Sequence, residues 1–253
     1  WMDLILDENN LATAAHEGRT LAPMGYRTDR ISGAELRRRD GAYKDEVAGA
    51  IHYVDSAIIH PGRLVRGLAD ALPRHGVNIR TGVTVAGIER DAKGKCIGAR
   101  LSTGEIVHGE NVVLAAGIWS SELAKSAGIS VPMQPARGYH VQLDGVPQLP
   151  VTGGVMHETF VAFNPMGNQL RLAGTLEIAP VGRPWMRRRL NALIAGARKY
   201  LHGIDSGRVT AEWAGYRPCT ADGMPVIGFA RSTPGLYIAT GHGMMGLMLG
   251  PIT

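Results

Sequence analysis

The stretch that most constrains this chain is Leu236–Gly246, LYIATGHGMMG. Pro234–Gly235 leads into Leu236 to Thr240, apolar and rich in β-formers, as a short buried strand requires. Glycines then stand at 241, 243 and 246, and Met244 to Leu249 is apolar with good helix formers. The reading is strand, glycine turn, helix. Such a turn lets a flat ligand come close to the backbone and aims the unpaired N–H groups of a helix start at it. The same spelling, G-x-G-x-x-G, occurs in the dinucleotide fingerprint. That fingerprint opens a βαβ unit and needs an acidic residue about 20 positions further on, whereas this sequence reaches Thr253 first. A turn that merely packs a helix on a sheet fits the letters equally well.

With 253 residues, 45% of them hydrophobic, the chain can bury one large core or two modest ones. Its 34 glycines and 14 prolines suit an α/β protein with many tight turns rather than a helical bundle. Cys96 and Cys219 have no C-x-x-C spacing, so neither a disulfide framework nor a metal site is indicated. No apolar run reaches about 18 residues and no leader pattern is present, which makes a cytoplasmic, reducing compartment the expectation. A net charge of +5 could steer an anionic substrate as readily as a nucleic acid. The arginine runs at 37–39 and 187–189 lack interleaved aromatics, so no nucleic-acid partner is expected.

In chain order, Trp1 to Asp7 reads as a strand followed by polar residues, and Ser32 caps a helix-like SGAELRRR. Ile51 to Ile59 is strand-like, and Pro61 opens a helix over Arg63 to His75 with Leu64, Leu68, Ala71 and Leu72 on one face. Gly76 ends it. Val77 to Glu89 alternates as a strand, Ile97–Leu101 and Glu105–Val107 suggest a β-meander, and Asn111 to Ala115 reads as a fully buried parallel strand. Trp119 to Ala127 reads as a short helix. From Val131 the texture becomes period-two: Arg137–Leu143, Val151–Val155, Phe160–Phe163 and Gln169–Leu176 read as one mixed or antiparallel sheet. Pro184 to Leu201 is an amphipathic helix. Its basic face suits an anionic membrane surface or plain water, and water is the commoner case. The end residues, Trp1 already inside a strand-like run and GPIT inside a helix, read as cut ends.

At this point several motifs fall in order. Gly215–Tyr216–Arg217–Pro218, Thr220, Asp222–Gly223, Pro225 and Ile227–Gly228, paired with LYIATGHGMMG, resemble the C-terminal signature of FAD-dependent amine oxidoreductases of the D-amino-acid oxidase superfamily. VVLAAGIWS (Val112–Ser120) is similar to that family's strand ending in a glycine turn beside the cofactor. Ile58–Gly62 leading into a helix, Arg137–Gly138–Tyr139 and His157–Glu158–Thr159 also match, the last being closest to the D-amino-acid dehydrogenase branch. The resemblance implies an α/β (α+β) fold: an incomplete doubly wound FAD-binding domain (58–130 and 213–253) interleaved with a substrate domain on a mixed antiparallel sheet (1–57 and 131–212). Family members begin with a strand and a phosphate loop for the FAD pyrophosphate. Neither stands before Trp1 in this sequence, so a non-catalytic piece that does not retain FAD is the alternative from another class.

The implied reaction is oxidative deamination of a D-amino acid, or oxidation of a small secondary amine such as a proline derivative, by hydride transfer from the α-carbon to flavin N5, with electrons passed to a quinone or another acceptor. Arg217 is the expected carboxylate fork, because a guanidinium gives two parallel charge-assisted bonds. A structural ion pair is its bland alternative. Tyr139 is expected to help hold the substrate, although an aromatic in a strand is as often core. Backbone N–H groups of Gly243, Met244 and Met245, with Gly241 and Gly246 shaping the turn, are expected to face the flavin's N1–O2 edge. His242 either adds a hydrogen bond or simply fills the turn. Ala115, Ala116, Gly117 and Trp119 are expected beside the cofactor, Trp119 and Trp213 as packing, and Val83 near the adenine through its backbone. His157 and Glu158 either orient the substrate amine or, the commoner case, are exposed strand-end residues. Sarcosine oxidases of this superfamily tend to carry a lysine where Met245 stands, and a methionine supplies no positive charge for oxygen activation. This favours a dehydrogenase over an oxygen-using glycine or sarcosine oxidase.

Overall fold

The computed structural model describes residues 1–253. Strand β1 (Met2–Ile5) is followed by α1 (Glu8–Thr20), β2 (Thr28–Ser32), α2 (Gly33–Arg39) and β3 (Gly49–Tyr53). Next come α3 (Pro61–Ala71), β4 (Val85–Arg90), β5 (Cys96–Leu101), β6 (Ile106–His108), β7 (Val112–Leu114) and α4 (Ser120–Ser126). Strands β8 (Gln134–Asp144), β9 (Gly154–Met156), β10 (Val161–Met166) and β11 (Gln169–Ile178) precede α5 (Arg187–Ala197). Strands β12 (Arg208–Cys219), β13 (Val226–Phe229) and β14 (Leu236–Thr240) lead to the short helix α6 (Gly246–Leu249). The architecture is mixed α/β, as expected. It divides into two compact units: Trp1–His60 with Gly138–Glu177 and Pro184–Gly215, and Pro61–Arg137 with Ile178–Arg183 and Tyr216–Thr253.

The first unit is built on an eight-stranded sheet in the order β12-β8-β11-β10-β9-β1-β3-β2. Alternation places Tyr139, Val141 and Leu143 of β8, Val161 and Phe163 of β10, and Leu170 and Leu172 of β11 on one buried face. There they join Leu190, Leu193 and Ala197 of α5 in one core. Each fully buried aliphatic side chain contributes about 1.5–3 kcal/mol. The alternation shifts by one residue at Thr175, which has φ of +53°, so that Glu177 also points into the core at 3% exposure.

Helix α1 and strand β2 are not evident from sequence. Helix α1 buries only Leu11, Ala15 and Gly18, at helical spacing, against Ile5 and Ile51, and apart from Ala12 and the half-buried Ala14 its other residues are polar. Its start is held from two sides. Asp7 accepts the N–H groups of Asn9 and Asn10 as an N-cap. Glu158 accepts the N–H groups of Leu6 (3.0 Å) and Asp7 (3.3 Å), the Asn10 amide (3.2 Å) and the Tyr200 hydroxyl. Glu158 is thus a half-buried anchor rather than the exposed strand-end residue its surroundings in sequence suggest. Ser32 caps α2 as read, accepting the Glu35 N–H.

In the second unit β14 runs parallel to β7, with Leu236 opposite Val112 and Ile238 opposite Leu114, and β13 pairs antiparallel on the far side of β14. A second sheet, β4-β5-β6, forms the meander. Ile88, Leu114, Ala124, Leu236 and Ile238 meet in the core of this unit. Two expectations need correction. Strand β7 is not fully buried: it is the edge of its sheet, and Val113 is 61% exposed. The strand expected over Val77–Glu89 is regular only from Val85, and Val83 lies in the irregular stretch before it.

Replacing Glu158 by alanine should destabilise the protein by about 1–3 kcal/mol, since four donors, those of Leu6 and Tyr200 part-buried, lose their acceptor together. Denaturant unfolding measures it. Burial pushes the Glu158 carboxyl up, but the bonds from Tyr200, Asn10 and the backbone outweigh burial and hold it below the ordinary carboxylate value. This contribution is present above the ordinary carboxylate range and is lost as pH falls through the depressed value. The wild-type protein should therefore lose more stability on acidification than the alanine variant.

Candidate functional site

Because β7 and β14 are parallel neighbours, the turns that follow them emerge side by side, the place where open α/β sheets bind ligands. Thr240, 2% exposed at the end of β14, ties them together, its hydroxyl donating to the Gly117 carbonyl at 2.9 Å. Gly117, Gly241 and Gly243 all adopt positive φ (57°, 80° and 54°). Their reasons differ. A Cβ on Gly241 would lie 2.9 Å from the Thr220 Cγ2 and 3.3 Å from the Val226 N, so this glycine serves close packing. A Cβ on Gly117 or Gly243 would meet nothing within 4 Å, so these two present bare backbone to open space.

The end of β12 is stitched to the same turn. The Gly243 N–H donates to the Pro218 carbonyl at 3.1 Å, and Cys219 forms a bridge with His242. The Thr220 hydroxyl closes the following loop onto the Met224 carbonyl (2.8 Å), and the Asp222 carboxylate accepts the Met224 N–H (3.0 Å). Arg217 therefore precedes the residue whose carbonyl anchors the turn. It is half-buried, and its guanidinium makes no ion pair or hydrogen bond within the protein. Burial lowers its affinity for the proton, with Cys219 pulling the other way, yet a guanidinium stays charged. A desolvated cation with no anion beside it is a costly arrangement unless a ligand answers it.

The amides of the turn are only partly as expected. Gly243 donates to Pro218, and Met245 donates to the His242 carbonyl at 2.9 Å, so neither is free to face a ligand. The tightness of the turn takes both. Met244 and Gly246 keep N–H groups with no backbone acceptor. The His242 ring lies 3.1 Å from the Thr253 hydroxyl, as a satisfied histidine would.

Beside the Ala115–Gly117 turn lies an apolar groove of about 960 Å³, whose lining includes Val83, Ala86, Val113, Ala115, Ala116 and Trp119. The expected cofactor residues thus fall into a groove group (Val83, Ala115, Ala116, Trp119) and a turn group (Gly117, Gly241, His242, Gly243, Met244, Met245, Gly246), contiguous at residues 115–117. Trp119 is 55% exposed rather than packed away, and so is Trp213 at 52%, in the other unit. Tyr139 also belongs to that other unit. It is 2% exposed, with its hydroxyl donated to the Glu177 carboxylate and accepting the Met186 N–H at 3.4 Å, so its surroundings are those of a core residue. Sequence reasoning missed Thr240 and the Pro218 carbonyl, because neither is a chemically reactive group. No cluster of three or more His, Cys, Asp or Glu side chains converges to hold a metal ion.

A family model described as FAD dependent oxidoreductase matches residues 3–253. A D-amino acid dehydrogenase of Methylobacterium nodulans is 34% identical over 182 residues, covering 71% of this chain and 42% of its own length. A glycine oxidase of Pseudomonas putida is 28% identical over 260 residues, covering 99% of this chain and 66% of the relative. The structure of glycine oxidase from Bacillus cereus superposes with a TM-score of 0.89 at 22% identity, over 99% of this chain and 68% of that one. The chain spans less than half the length of the D-amino acid dehydrogenase of Methylobacterium nodulans that it matches.

Gly241→Val should destabilise the protein by about 1–3 kcal/mol, because a β-branched residue meets both a positive φ and occupied space. Chemical denaturation compares it with Gly250→Val, where a Cβ meets nothing and φ is helical.

Proposed function

From the premise that this chain belongs to the FAD-dependent oxidoreductase family, we propose that it is part of an amino-acid dehydrogenase acting on D-amino acids. The observation that carries this reading is Arg217, a half-buried guanidinium with no partner of its own, held beside a glycine turn that presents bare backbone. The residues fit a flavin. Gly117 and Gly243 allow a planar ring to approach the backbone, the Met244 N–H has no other acceptor, and the groove lined by Val83, Ala115, Ala116 and Trp119 is apolar enough for an aromatic system. Bound FAD would supply the two-electron chemistry, accepting the hydride from the α-carbon of the substrate.

The chain's own part is to bind and orient. Arg217 takes the substrate carboxylate in two parallel charge-assisted bonds and so fixes the direction of the α-carbon. Its stiffness comes from Pro218, whose carbonyl is bonded to Gly243 and whose ring removes a backbone degree of freedom. The free Met244 N–H offers a donor to negative charge that develops on the ring. No general base is assigned, since a neutral amine needs none for hydride loss.

A second reading, a glycine- or sarcosine-type oxidase that uses oxygen, is favoured by the glycine oxidase relative. Met245, 47% exposed and uncharged, favours a quinone or another acceptor over oxygen. Peroxide formation measured against dye reduction under the same substrate separates the two.

The FAD-loaded protein should be bleached by D-alanine or D-proline without oxygen. Arg217→Ala should raise the substrate concentration needed for half-bleaching on the order of 100-fold, as a bidentate charged contact implies, and Arg217→Lys should fall between. Unchanged half-bleaching in Arg217→Ala retires the assignment.

A further inference from the structure

A second cleft lies beside the glycine turn, in the same unit as the apolar groove. It measures about 420 Å³, and its lining includes Ile118, Trp119, Lys125, Met133, Pro135 and Val181. Two of its walls are shared with the candidate site. Trp119 also lines the groove beside the Ala115–Gly117 turn, so its indole borders both spaces. The Met133 sulfur lies 3.8 Å from the Thr240 hydroxyl oxygen, and a Cβ on Gly241 would stand 3.7 Å from it. The cleft is therefore one side chain away from the turn on one side and from the groove on the other.

Hydrogen bonds fix its shape. The Ser121 hydroxyl donates to the Val131 carbonyl at 2.6 Å, holding α4 against the segment that carries Met133. Tyr216 clamps the loop that carries Val181: its hydroxyl accepts the Gly182 N–H at 3.0 Å and donates to the Pro180 carbonyl at 3.1 Å. Two charged groups border the cleft, Lys125 and Glu122, about one turn apart on α4. Neither side chain forms an ion pair or hydrogen bond within the protein. Their formal charges cancel, so the cleft favours an uncharged ligand over an anion. The Ser121 proton is already committed, which leaves the Lys125 ammonium and the Trp119 indole N–H as side-chain donors on otherwise apolar walls.

We infer that this cleft takes the headgroup of a quinone, with Trp119, Met133 and Val181 against the ring and Lys125 donating to a ring carbonyl. Such a headgroup is flat, uncharged and mostly apolar, and its polar atoms are acceptors only, which is what these walls can serve. As the electron acceptor, each quinone takes two electrons and two protons. One proton leaves the N5–H of the reduced flavin and the other comes from water; the two carbonyl oxygens become hydroxyls, and the flavin returns to its oxidised form. Negative charge developing on the oxygen beside Lys125 is stabilised by the ammonium. This redox role rests on the flavoenzyme reading proposed above, whereas binding of the ring does not.

The test uses the full chain and duroquinone, whose ring carries no free position for a thiol to add, with the free quinone measured after equilibrium dialysis. Expected is one saturable site, weakened about tenfold in Val181→Trp, which fills the cleft from an exposed loop, and several-fold in Lys125→Ala. The anion 1-naphthoate should compete about tenfold more weakly than duroquinone binds. In FAD-loaded protein bleached by D-alanine without oxygen, duroquinone should restore the flavin bands several-fold more slowly in Lys125→Ala, with the bleaching itself unchanged. Should Val181→Trp lose its circular dichroism spectrum, Lys125→Ala decides alone. No saturable binding in the wild-type chain overturns the inference. So does binding that neither substitution weakens, naphthoate that binds as tightly as the quinone, or flavin recovery equally fast in Lys125→Ala. Flavin that D-alanine leaves unbleached, with duroquinone bound as expected, retires the proposed substrate and leaves the cleft standing.

Discussion

The bond from the Gly243 N–H to the Pro218 carbonyl is the constraint on which the candidate site depends. It joins the end of one long strand to the glycine turn after another, and the Cys219–His242 bridge doubles the join. Through it Arg217 acquires a fixed position relative to the turn, although its guanidinium makes no hydrogen bond or ion pair. A cation at the surface could be placed by its own ion pair. A cation that must remain available to a ligand has to be placed by its backbone, and a proline followed by a paired carbonyl does that.

The same economy governs the glycines. Gly241 is required because Thr220 and Val226 press against it, whereas Gly117 and Gly243 are favoured by their positive φ alone and leave open space above the backbone. Thr240 couples the two turns: its buried hydroxyl holds the Gly117 carbonyl, tying the turn after β7 to the end of β14 from which Gly241 and Gly243 follow. The turn gives up two of its amides to build this rigidity, those of Gly243 and Met245, and keeps that of Met244. Rigidity and donor count compete in such a short turn, and here rigidity takes the larger share.

What could be read in the sequence follows from how strongly local chemistry speaks. Leu236–Thr240 forms the strand its letters spell, because an apolar run between a Pro-Gly turn and a glycine has no competing structure. Ser32 caps its helix for the same local reason. Helix α1 escaped notice because its buried stripe is Leu11, Ala15 and Gly18, two of them too small to register as a hydrophobic face. Strand β12 escaped because Gly215 and Pro218 spell a turn, although an edge position tolerates both. The asymmetry of β7 was invisible, since an apolar triplet looks the same in the middle of a sheet and at its edge. In the site, Arg217 and the glycine turn were legible as chemistry; the carbonyl of Pro218 and the hydroxyl of Thr240 were not, because their role is only to hold.

The central claim is that Arg217 and the turn after β14 belong to one flavin-side pocket. A visible difference spectrum tests it most directly, recorded while the FAD-loaded protein is titrated with acetate, a carboxylate that cannot be oxidised at an α-amine. The account predicts a saturable shift of the flavin bands that vanishes in Arg217→Leu while the flavin stays bound. A shift of equal size and affinity in that variant would contradict it.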